Sequence, residues 1–555
     1  MKRRELIEKK LEAIYGKGER TDKALELLES LLSSFQPLEP KEGLSEKDSM
    51  LITYADTILE ESEVPLATLG KFLKNYVKDA IKTIHILPFF PFTSDDGFSV
   101  VDYSKVNPDF GDWCDVERIA EDYGLMVDSV ANHVSRSSRW FQGYLNGEKP
   151  YTEYFITSDP SQDYSSVTRP RALPLLTAFQ TKDGEKWLWT TFSDDQIDLN
   201  FKCPELLVEI ISSVLQYAEH GARFIRLDAI GFIWKELGTT CMHLKECHEI
   251  IKLIRIILED YAPGVMLITE TNVPQKDNVS YFGDDDEAMM VYQFPLPPLV
   301  MYTLLSGSSK HLSNWVETLY RPEGKATYFN FLSSHDGIGM RPVDGILNEK
   351  EKELLVSSCL RNGGKVSYKN NGDGTQSPYE LNIVYLDALK GENDDEETLK
   401  RKFLAAMTIL LSLKGVPGIY IHSLLGSRND YKGVAQSGIP RRINREKLDY
   451  KTLSKELDED GFRHDIFSYL ISLLNTRKNT DAFSPYAKER VLSFGDQVFA
   501  LKREGEEKSV VVVVNVSSED AEISSEELNG RDLIGGGEIG SKLKLSPYEC
   551  IWIEK

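Results

Sequence analysis

Three acidic residues, Asp228, Glu270 and Asp336, each follow a short apolar run that is typical of a buried strand. A carboxylate at the end of a buried strand contributes little to stability and is well placed for chemistry. A single residue of this kind would be better explained as a helix cap or an ion-pair partner. A set of three on three strands instead indicates an enzyme whose transition state carries positive charge.

Cleavage of a glycosidic bond requires a pair of carboxyl groups of this kind. One protonates the leaving oxygen and the other attacks the anomeric carbon, and in retaining enzymes the two lie about 5–5.5 Å apart. Neighbouring strands are about 4.7–4.9 Å apart, so Asp228 and Glu270 on consecutive strands would have a suitable separation. Arg226 points to the same face as Asp228 and would keep it ionised. His335 and Asp336 could then bind sugar hydroxyls.

Eight strand-like runs, which alternate with helical segments, must position these acids. The runs are apolar enough to be covered on both faces, which favours a parallel sheet. Eight such units predict the α/β fold class of a closed (β/α)8 TIM barrel. The predicted strands lie at about residues 51–56, 83–88, 124–128, 223–228, 265–270, 290–294, 329–336 and 418–421.

The remaining segments surround that barrel, which is predicted to span residues 48–477. Residues 1–47 carry a helical stripe of leucines and are predicted to form a helical N-terminal extension. Residues 478–555 contain four strand-like runs and are predicted to form a C-terminal antiparallel β-domain. Two long segments, at about 135–192 and 337–393, are predicted insertions over the face that carries the site, with surface decoration as the alternative.

Composition limits the partners and the compartment. The 555-residue chain has a net charge of −23, which argues against nucleic acid because a polyanion would be repelled. We expect no membrane span, since no apolar run approaches the roughly 20 residues required. Six scattered cysteines without a Cys-x-x-Cys pair fit a reducing cytoplasm. The group from Cys241 to His248 has no zinc spacing, and we expect neither a metal nor an organic cofactor.

Four segments resemble the signature regions of the α-amylase family of glycoside hydrolases. They are Asp128–His133, Arg226–Gly231, Glu270 and His335–Asp336, in this order on the expected strands. The resemblance covers nearly the whole chain after residue 48. It implies that Asp228 is the nucleophile, Glu270 the general acid/base and Asp336 a transition-state stabiliser. The sugar-contacting residues that it implies are His133, Arg226 and His335.

Further details resemble the sucrose phosphorylases within this family. The matching segments are Ile84–Phe90, Asp95–Phe98, Arg169–Pro174, Thr191–Phe192, Gln196–Asp198, His335–Gly339 and Arg441–Arg445. The resemblance implies that Asp95 and Arg441 bind the far hydroxyls of a terminal glucose, with Gln196 in the same binding site. It also implies that Phe98 and Phe192 form an apolar platform beside the anomeric centre, where a π-face favours developing positive charge.

A phosphorylase of this kind needs an anion site, because inorganic phosphate must meet the glucosyl intermediate while water is kept out. Arg171 is the candidate, since a guanidinium can bind phosphate through two hydrogen bonds, and Tyr379 is a second donor. A surface ion pair is the alternative for Arg171. If the acceptor carries a carboxylate, its site also needs a cation or backbone donors. Arg171 could serve both anions, and Arg341 and Lys365 are further candidates for the acceptor, with a solvated surface role as the alternative for each of these two.

Four acceptor-side positions depart from the sucrose phosphorylase pattern: Phe232, Asn272, Ser377 and Glu380. Together with the N-terminal extension they are similar to glucosylglycerate phosphorylases. That resemblance implies double-displacement phosphorolysis of 2-O-α-D-glucosyl-D-glycerate to α-D-glucose 1-phosphate and D-glycerate. Glucosylglycerol phosphorylase stays an alternative because Glu380 could bind a neutral polyol. Sucrose phosphorylase and an α-glucoside hydrolase or transglucosidase are further alternatives. A homodimer would fit the resemblance.

Overall fold

A computed structural model describes residues 3–170, 173–322, 324–370 and 375–555. Eight strands form a closed parallel barrel, which confirms the predicted (β/α)8 fold class. In chain order they are β1 (Met50–Thr53), β2 (Thr83–Ile86), β3 (Gly124–Ser129), β4 (Ala222–Leu227), β5 (Met266–Thr269), β6 (Met290–Tyr292), β7 (Thr327–Phe331) and β8 (Val416–Tyr420). All their residues except Gly124 are buried, as expected for strands covered on both faces.

The internal contacts of the chain define two compact units. The first unit comprises Met1–Gly43, Ile86–Thr271 and Asp277–Val291, and the second comprises Leu44–His85, Asn272–Lys276 and Tyr292–Lys555. The domain boundaries expected near residues 47 and 477 stay a prediction.

In the first unit, β3 to β6 lie side by side in parallel register. Leu227 of β4 is aligned with Thr269 of β5. Asp228 directly follows Leu227, and Glu270 directly follows Thr269. The register alone therefore brings the two predicted catalytic acids to neighbouring strand ends. The long helices of this unit that cover the barrel are Trp113–Asp122, Pro204–Glu219 and Lys245–Tyr261.

The N-terminal extension forms two helices, as predicted from its leucine stripe. Helix Arg3–Tyr15 packs on barrel helix Lys245–Tyr261, and helix Glu19–Ser34 packs on barrel helix Pro204–Glu219. Ion pairs join Arg3 to Asp260 and Lys10 to Glu249, the latter with 3.0 Å between Nζ and Oε2. The extension is therefore a packed layer of the first unit.

The extension also reaches the start of β4. Arg223, which is buried, donates from Nη2 to the carbonyl oxygens of Glu42 (3.3 Å) and Gly43 (3.0 Å). The backbone that links the two N-terminal helices to the barrel is thus held against the strand that leads to Asp228.

The long segment before β4 contains its own secondary structure. Helix Arg139–Leu145 is followed by an antiparallel hairpin of Leu176–Thr181 and Gly184–Trp189. The short strand His133–Ser135 pairs antiparallel with Gln196–Asp198, so the segment returns to the end of β3 before β4 begins.

In the second unit, β8 pairs with β1 and with β7 in parallel. An antiparallel hairpin of Lys365–Asn370 and Gln376–Asn382 is extended by Ile338–Gly339, which follows β7. The helices of this unit are Pro65–Phe72, Leu296–Ser306, Lys310–Thr318, Glu349–Arg361, Tyr385–Ala388, Glu396–Ser412, Ile421–Leu424, Tyr431–Ser437, Tyr450–Asp458 and Phe462–Lys478.

The C-terminal segment forms an antiparallel sheet, as predicted. Its strands, in spatial order, are Lys488–Leu492, Val498–Glu504, Ser509–Asn515, Cys550–Glu554, Gly530–Asp532 and Glu538–Ile539, and Ala521–Ser524 pairs separately with Lys542–Leu545. Its core is made by the alternating residues of these strands, such as Val511 and Val513. Across the described residues, no helix is both long and apolar enough to cross a membrane.

Candidate active site

Arg226 connects three carboxylates at the ends of β3, β4 and β5. Its Nη1 donates to Asp228 Oδ1 over 2.8 Å and also to Asp128, and its Nη2 lies 4.0 Å from Glu270 Oε2. These four residues form what we call the nucleophile cluster. The Arg226 side chain is only 3% exposed, so its attraction to the carboxylates is weakly screened by water. The predicted nucleophile and the predicted acid/base thus share one cation.

The three carboxylates of this cluster differ in their access to solvent. The side chain of Asp128 is 0% exposed, whereas those of Asp228 and Glu270 are 11% and 15% exposed. Asp128 therefore serves to hold Arg226, while the other two can meet a substrate. The roles of Asp228 as nucleophile and Glu270 as general acid/base stay predictions.

The backbone turns sharply directly after Asp228. Ala229 adopts a left-handed conformation, with φ 48° and ψ 29°, which a residue other than glycine rarely populates. In this conformation its N–H donates to Glu270 Oε2 over 3.1 Å. The strained turn therefore orients the acid/base candidate from the residue that follows the nucleophile candidate.

Three predicted ligand-binding residues form a row of rings that we call the aromatic wall. The rings of His133 and Phe192 lie 5.2 Å apart, and those of Phe192 and Phe232 lie 5.6 Å apart and nearly perpendicular. The ring of Phe98 lies 5.8 Å from the guanidinium carbon of Arg226. An aromatic surface therefore adjoins the nucleophile cluster.

Hydrogen bonds around the carbonyl oxygen of Phe98 order the predicted glucose-binding residues. His133 Nε2 lies 2.9 Å from this oxygen and so carries the proton, which leaves Nδ1 to accept from Asn132 Nδ2 over 3.2 Å. Gln196 Nε2 donates to the same oxygen over 3.2 Å and to Asp95 Oδ2 over 3.3 Å. The structure thus brings Asp95, Phe98, His133 and Gln196 together.

Asp95 lies in a loop with an unusual backbone. Asp95 and Asp96 both have positive φ angles, 54° and 48°, and Gly97 follows with φ 112°. A side chain at Gly97 would come within 2.4 Å of the carbonyl oxygen of Pro88. Such a conformation persists only where surrounding interactions hold it.

Asp195 supplies those interactions. Its Oδ2 accepts hydrogen bonds from the hydroxyls of Ser94 (2.5 Å), Thr93 (2.6 Å) and Ser99 (2.9 Å), which flank the loop. Burial alone would raise the pKa of Asp195, but these hydrogen bonds outweigh it and hold the pKa below its usual range. Sequence reasoning missed this residue, because its only signal was the number of hydroxyl residues between 93 and 99.

We predict that Asp195→Asn lowers kcat/KM for the glucosyl donor by about 10- to 100-fold, because the loop that carries Asp95 would lose two or more hydroxyl donors. An amide nitrogen in place of Oδ2 cannot accept from three hydroxyls. Steady-state kinetics with the donor would measure the loss. Asp183→Asn, on the exposed hairpin turn, is the matched control. Unchanged donor kinetics in a folded Asp195→Asn variant would contradict this role.

In the second unit, Asp336 lies five residues beyond the end of β7 and is held by two arginines and a histidine. Its Oδ1 lies 2.7 Å from Arg441 Nη1 and 3.9 Å from Arg445 Nη2, and its Oδ2 lies 3.4 Å from His335 Nε2. The Asp336 side chain is 31% exposed, so this carboxylate can meet a ligand while its partners fix its position. The structure therefore brings together His335, Asp336 and Arg441.

Two neighbouring residues that sequence reasoning left without a role support this loop. Asn444 Nδ2 donates to the carbonyl oxygens of Asp336 (2.9 Å) and Ser334 (3.1 Å), and Arg445 Nε donates to that of His335 (2.8 Å). The signal was the run from Arg441 to Arg445, of which only the first residue was assigned.

Glu380 is a partner of Arg441. Its Oε2 accepts from Arg441 Nε (3.3 Å) and Nη2 (3.2 Å), and its Oε1 accepts from the backbone N–H of Gly337 over 2.7 Å. Its side chain is 8% exposed. Arg441 thus bridges Asp336 and Glu380, and both oxygens of Glu380 have protein donors.

The remaining predicted acceptor residues lie on or near the same hairpin. Ser377 and Tyr379 are half-buried, and the carbonyl oxygen of Tyr379 accepts from the N–H of Met340 over 3.0 Å. Asn272 lies against Gly339, and its Oδ1 is buried without a hydrogen-bond partner among the described residues. Such an acceptor is suited to a ligand hydroxyl.

Three further predicted residues complete the comparison with the sequence. Arg171 lies outside the described residues, Arg341 is half-buried, and Lys365 is exposed.

One residue that the sequence did not indicate is Gln293, directly after β6. It is fully buried, and neither atom of its amide has a hydrogen-bond partner in the part of the chain that the structure describes.

The two histidines between Cys241 and His248 make hydrogen bonds to other side chains of the chain. His243 Nδ1 lies 2.6 Å from Tyr281 Oη, and His248 Nδ1 lies 2.7 Å from Glu287 Oε2. Within the described ranges, no group of three or more His, Cys, Asp or Glu side chains is arranged to hold a metal ion.

Comparisons with known proteins give the family and several relatives of this chain. The family description "Alpha amylase, catalytic domain" matches residues 73–366. A glucosylglycerate phosphorylase from Allomeiothermus silvanus is 48% identical, over 97% of this chain and 96% of its own length. A glucosylglycerate phosphorylase from Escherichia coli is 45% identical, over 98% of this chain and 99% of its own. The crystal structure of a sucrose 6F-phosphate phosphorylase from Thermoanaerobacter thermosaccharolyticum is similar with a TM-score of 0.75 and 27% identity, over 85% of this chain and 94% of that one.

Proposed function

The chain belongs to the α-amylase family, and on that premise we propose that it is a retaining glycoside phosphorylase acting on 2-O-α-D-glucosyl-D-glycerate. With inorganic phosphate it would form α-D-glucose 1-phosphate and D-glycerate. The observation that carries the proposal is the match, over nearly the whole chain, to glucosylglycerate phosphorylases. The shared contacts of Arg226 with Asp228 and Glu270 support the retaining chemistry.

In the first half-reaction, Asp228 attacks the anomeric carbon and the bond to the glycerate oxygen breaks. Glu270 gives its proton to that oxygen, so D-glycerate leaves with a hydroxyl group at the former linkage. A glucosyl ester remains on Asp228. Arg226 keeps Asp228 in the carboxylate form that attack requires. We propose that Asp336, held by Arg441, stabilises the positive charge that develops on the sugar.

In the second half-reaction, an oxygen of phosphate attacks the same carbon from the face that glycerate left. The ester bond to Asp228 breaks and the carboxylate is restored, so two inversions give net retention. Glu270, now a carboxylate, takes up a proton from phosphate if the attacking oxygen carries one. The predicted glucose ligands and the aromatic wall would keep the sugar oriented through both steps.

Arg171 and Tyr379 are proposed to bind phosphate. We predict that Arg171→Ala lowers phosphorolysis at least about tenfold more than hydrolysis, since only phosphorolysis needs a bidentate anion partner. Both products, α-glucose 1-phosphate and free glucose, would be measured from one donor. Arg169→Ala, two residues away and exposed, is the matched control. Equal losses in the two reactions would remove Arg171 from the phosphate site.

The ion pair of Glu380 favours glycerate over a neutral polyol as the acceptor. A free carboxylate on the acceptor side would repel the carboxylate of glycerate. Glu380 shares the cation of Arg441 with Asp336 and accepts from the N–H of Gly337, so this repulsion is reduced. For the same reason Glu380 has little capacity left to accept hydrogen bonds from glycerol. The hydroxyls of Ser377 and Tyr379 and the amide of Asn272 remain the candidate ligands of the acceptor.

An acceptor screen in the synthetic direction tests the proposed function. With α-glucose 1-phosphate as donor, D-glycerate is expected to give a kcat/KM at least about tenfold above glycerol, fructose and fructose 6-phosphate, a difference of about 1.4 kcal/mol. Release of phosphate would be followed for each acceptor. If glycerol or fructose is preferred, the assignment of glycerate fails. Donor cleavage that needs no phosphate would instead identify a hydrolase.

We also propose a cytoplasmic homodimer. All six cysteines are free, which fits a reducing compartment. The dimer is proposed from the family resemblance alone, and light scattering of the purified protein would test it.

A further inference from the structure

Lys235 lies buried behind the aromatic wall. Its side chain is 3% exposed, and its Nζ lies 2.6 Å from Asp198 Oδ2 and 2.7 Å from Asn132 Oδ1. It also donates to the carbonyl oxygen of Phe232. An ammonium group has three protons, and here each has an acceptor. Because burying a charged pair gains little stability over an apolar pair of similar size, this arrangement points to a role beyond folding.

The three acceptors of Lys235 belong to three separate chain segments. Phe232 follows β4, Asn132 follows β3, and Asp198 ends the short strand that pairs with His133–Ser135. Each of these segments carries or adjoins one ring of the aromatic wall. The Lys235 side chain therefore links the three chain segments that contain or adjoin His133, Phe192 and Phe232.

Asn132 passes the contact on to His133. While its Oδ1 accepts from Lys235, its Nδ2 donates to His133 Nδ1 over 3.2 Å and to Asp198 Oδ2 over 3.3 Å. The amide is thereby fixed in one orientation, because the oxygen must face the ammonium. That orientation also fixes the tautomer in which His133 donates from Nε2 to Phe98.

Asp198 passes the contact on to the segment that carries Phe192. Its Oδ1 accepts from the N–H of Thr191 over 2.8 Å, and its Oδ2 accepts from Thr191 Oγ1 over 2.6 Å. Thr191 precedes Phe192, and its hydroxyl also accepts from Trp189 Nε1 over 3.1 Å. The carboxylate of Asp198 is thus held by Lys235 on one side and orders the Phe192 backbone on the other.

We infer that Lys235 is a positioning residue that fixes the three rings of the aromatic wall as one unit beside the glucosyl group. This inference rests on the proposed glucosyl transfer. Without Lys235, Phe232 and the His133 ring would each lose an anchor, and water would gain access to the glucosyl ester on Asp228. The expected consequence is a larger share of hydrolysis and a weaker transfer to phosphate and glycerate.

The test must separate this role from simple support of the fold. Lys235→Met alone would leave Asp198 buried without its cation and could unfold the protein. The double variant Lys235→Met/Asp198→Asn removes the charges together, and the amide oxygen introduced at position 198 can still accept from the N–H of Thr191. We expect a melting temperature close to that of the wild type, at least about a tenfold lower kcat/KM for transfer to phosphate, and a higher ratio of free glucose to α-glucose 1-phosphate.

The matched control removes another ion pair of the first unit. Lys10→Met/Glu249→Gln neutralises a partly buried pair between the N-terminal extension and a barrel helix, and its product ratio should equal that of the wild type. Thr191→Val is a second test that leaves the pair of Lys235 and Asp198 intact but removes one link to Phe192. It should raise the free-glucose ratio in the same direction, and this keeps the inference testable if the double variant does not fold.

Hydrogen exchange provides a readout that does not depend on the substrate. Faster amide exchange at residues 230–235 and 191–198 in the double variant, but not in the control, is expected. A folded double variant with the exchange and product ratio of the wild type would overturn the inference. Wild-type protein that forms no α-glucose 1-phosphate would overturn the proposed function instead, while the exchange data would still decide the positioning role.

Discussion

Asp228→Asn is expected to lower glucosyl transfer by at least about 10⁴-fold, because an amide cannot form the ester through which the sugar is passed. The change is nearly isosteric, and the introduced amide oxygen can still accept from Arg226 Nη1, so the fold should be retained. The initial rate of α-glucose 1-phosphate formation at saturating donor and phosphate would measure the loss. The melting temperature would show that the variant is folded.

The control for this variant is Asp109→Asn, a change of the same type at an exposed position. It should leave the rate unchanged. Because asparagine can deamidate back to aspartate, mass spectrometry must show that the variant protein is intact. Transfer at more than about one per cent of the wild-type rate in such protein would contradict the assignment of Asp228 as nucleophile.

Glu270→Gln is expected to lower phosphorolysis of glucosylglycerate by about 10³-fold, since glycerate is a poor leaving group unless its oxygen is protonated. A nitrophenyl α-D-glucoside should suffer far less in the first step, because nitrophenolate leaves without a proton. The side-chain oxygen of the introduced glutamine can still accept from the N–H of Ala229, so the geometry of the turn should persist. Pre-steady-state rates with the two donors would measure the difference.

Glu236→Gln, at an exposed position close in sequence to Asp228, is the matched control for this variant. Both donors should react with it at wild-type rates. If Glu270→Gln slowed the two donors by the same factor, protonation of the leaving group could not be its role, and a purely electrostatic contribution would have to replace it.

The sequence was sufficient to predict the barrel and the acids at its strand ends, whose catalytic roles stay predictions. Buried parallel strands appear as apolar runs, and the acids at their ends stand out because such a position is otherwise unfavourable for a charge. Asp228 and Glu270 could also be placed side by side, because they follow consecutive strands whose spacing is known. The structure adds the register, in which Leu227 is aligned with Thr269. Local patterns, in other words, contained this part of the site.

The supporting interactions could not be read in this way. Asp195 binds hydroxyls about a hundred positions earlier, and Lys235 binds Asn132 at a similar separation. A polar residue between strands carries no periodic signal that names its partner. Its role appears only when the fold brings the partner close, which is why both residues escaped prediction.

Glu380 illustrates the same limit for a residue that was singled out. Its departure from the sucrose phosphorylase pattern indicated a change on the acceptor side, and the chemistry of a carboxylate suggested contact with a polyol. The structure gives it Arg441, 61 positions away, and the N–H of Gly337. The type of residue was informative, but its electrostatic state depended on a partner that the sequence did not specify.

The backbone carbonyl groups that accept hydrogen bonds from Arg223 belong to the N-terminal extension. The smallest fragment worth expressing should therefore include the N-terminal helices. A shortened chain that begins at residue 48 would lack both hydrogen-bond acceptors of the buried Arg223 guanidinium. This residue lies at the start of β4, the strand that leads to Asp228. It would also uncover the outer faces of two barrel helices. Engineers who transplant loops among these enzymes should therefore carry residues 3–43 along with the barrel, and should treat them as scaffold when they choose a site for an affinity tag.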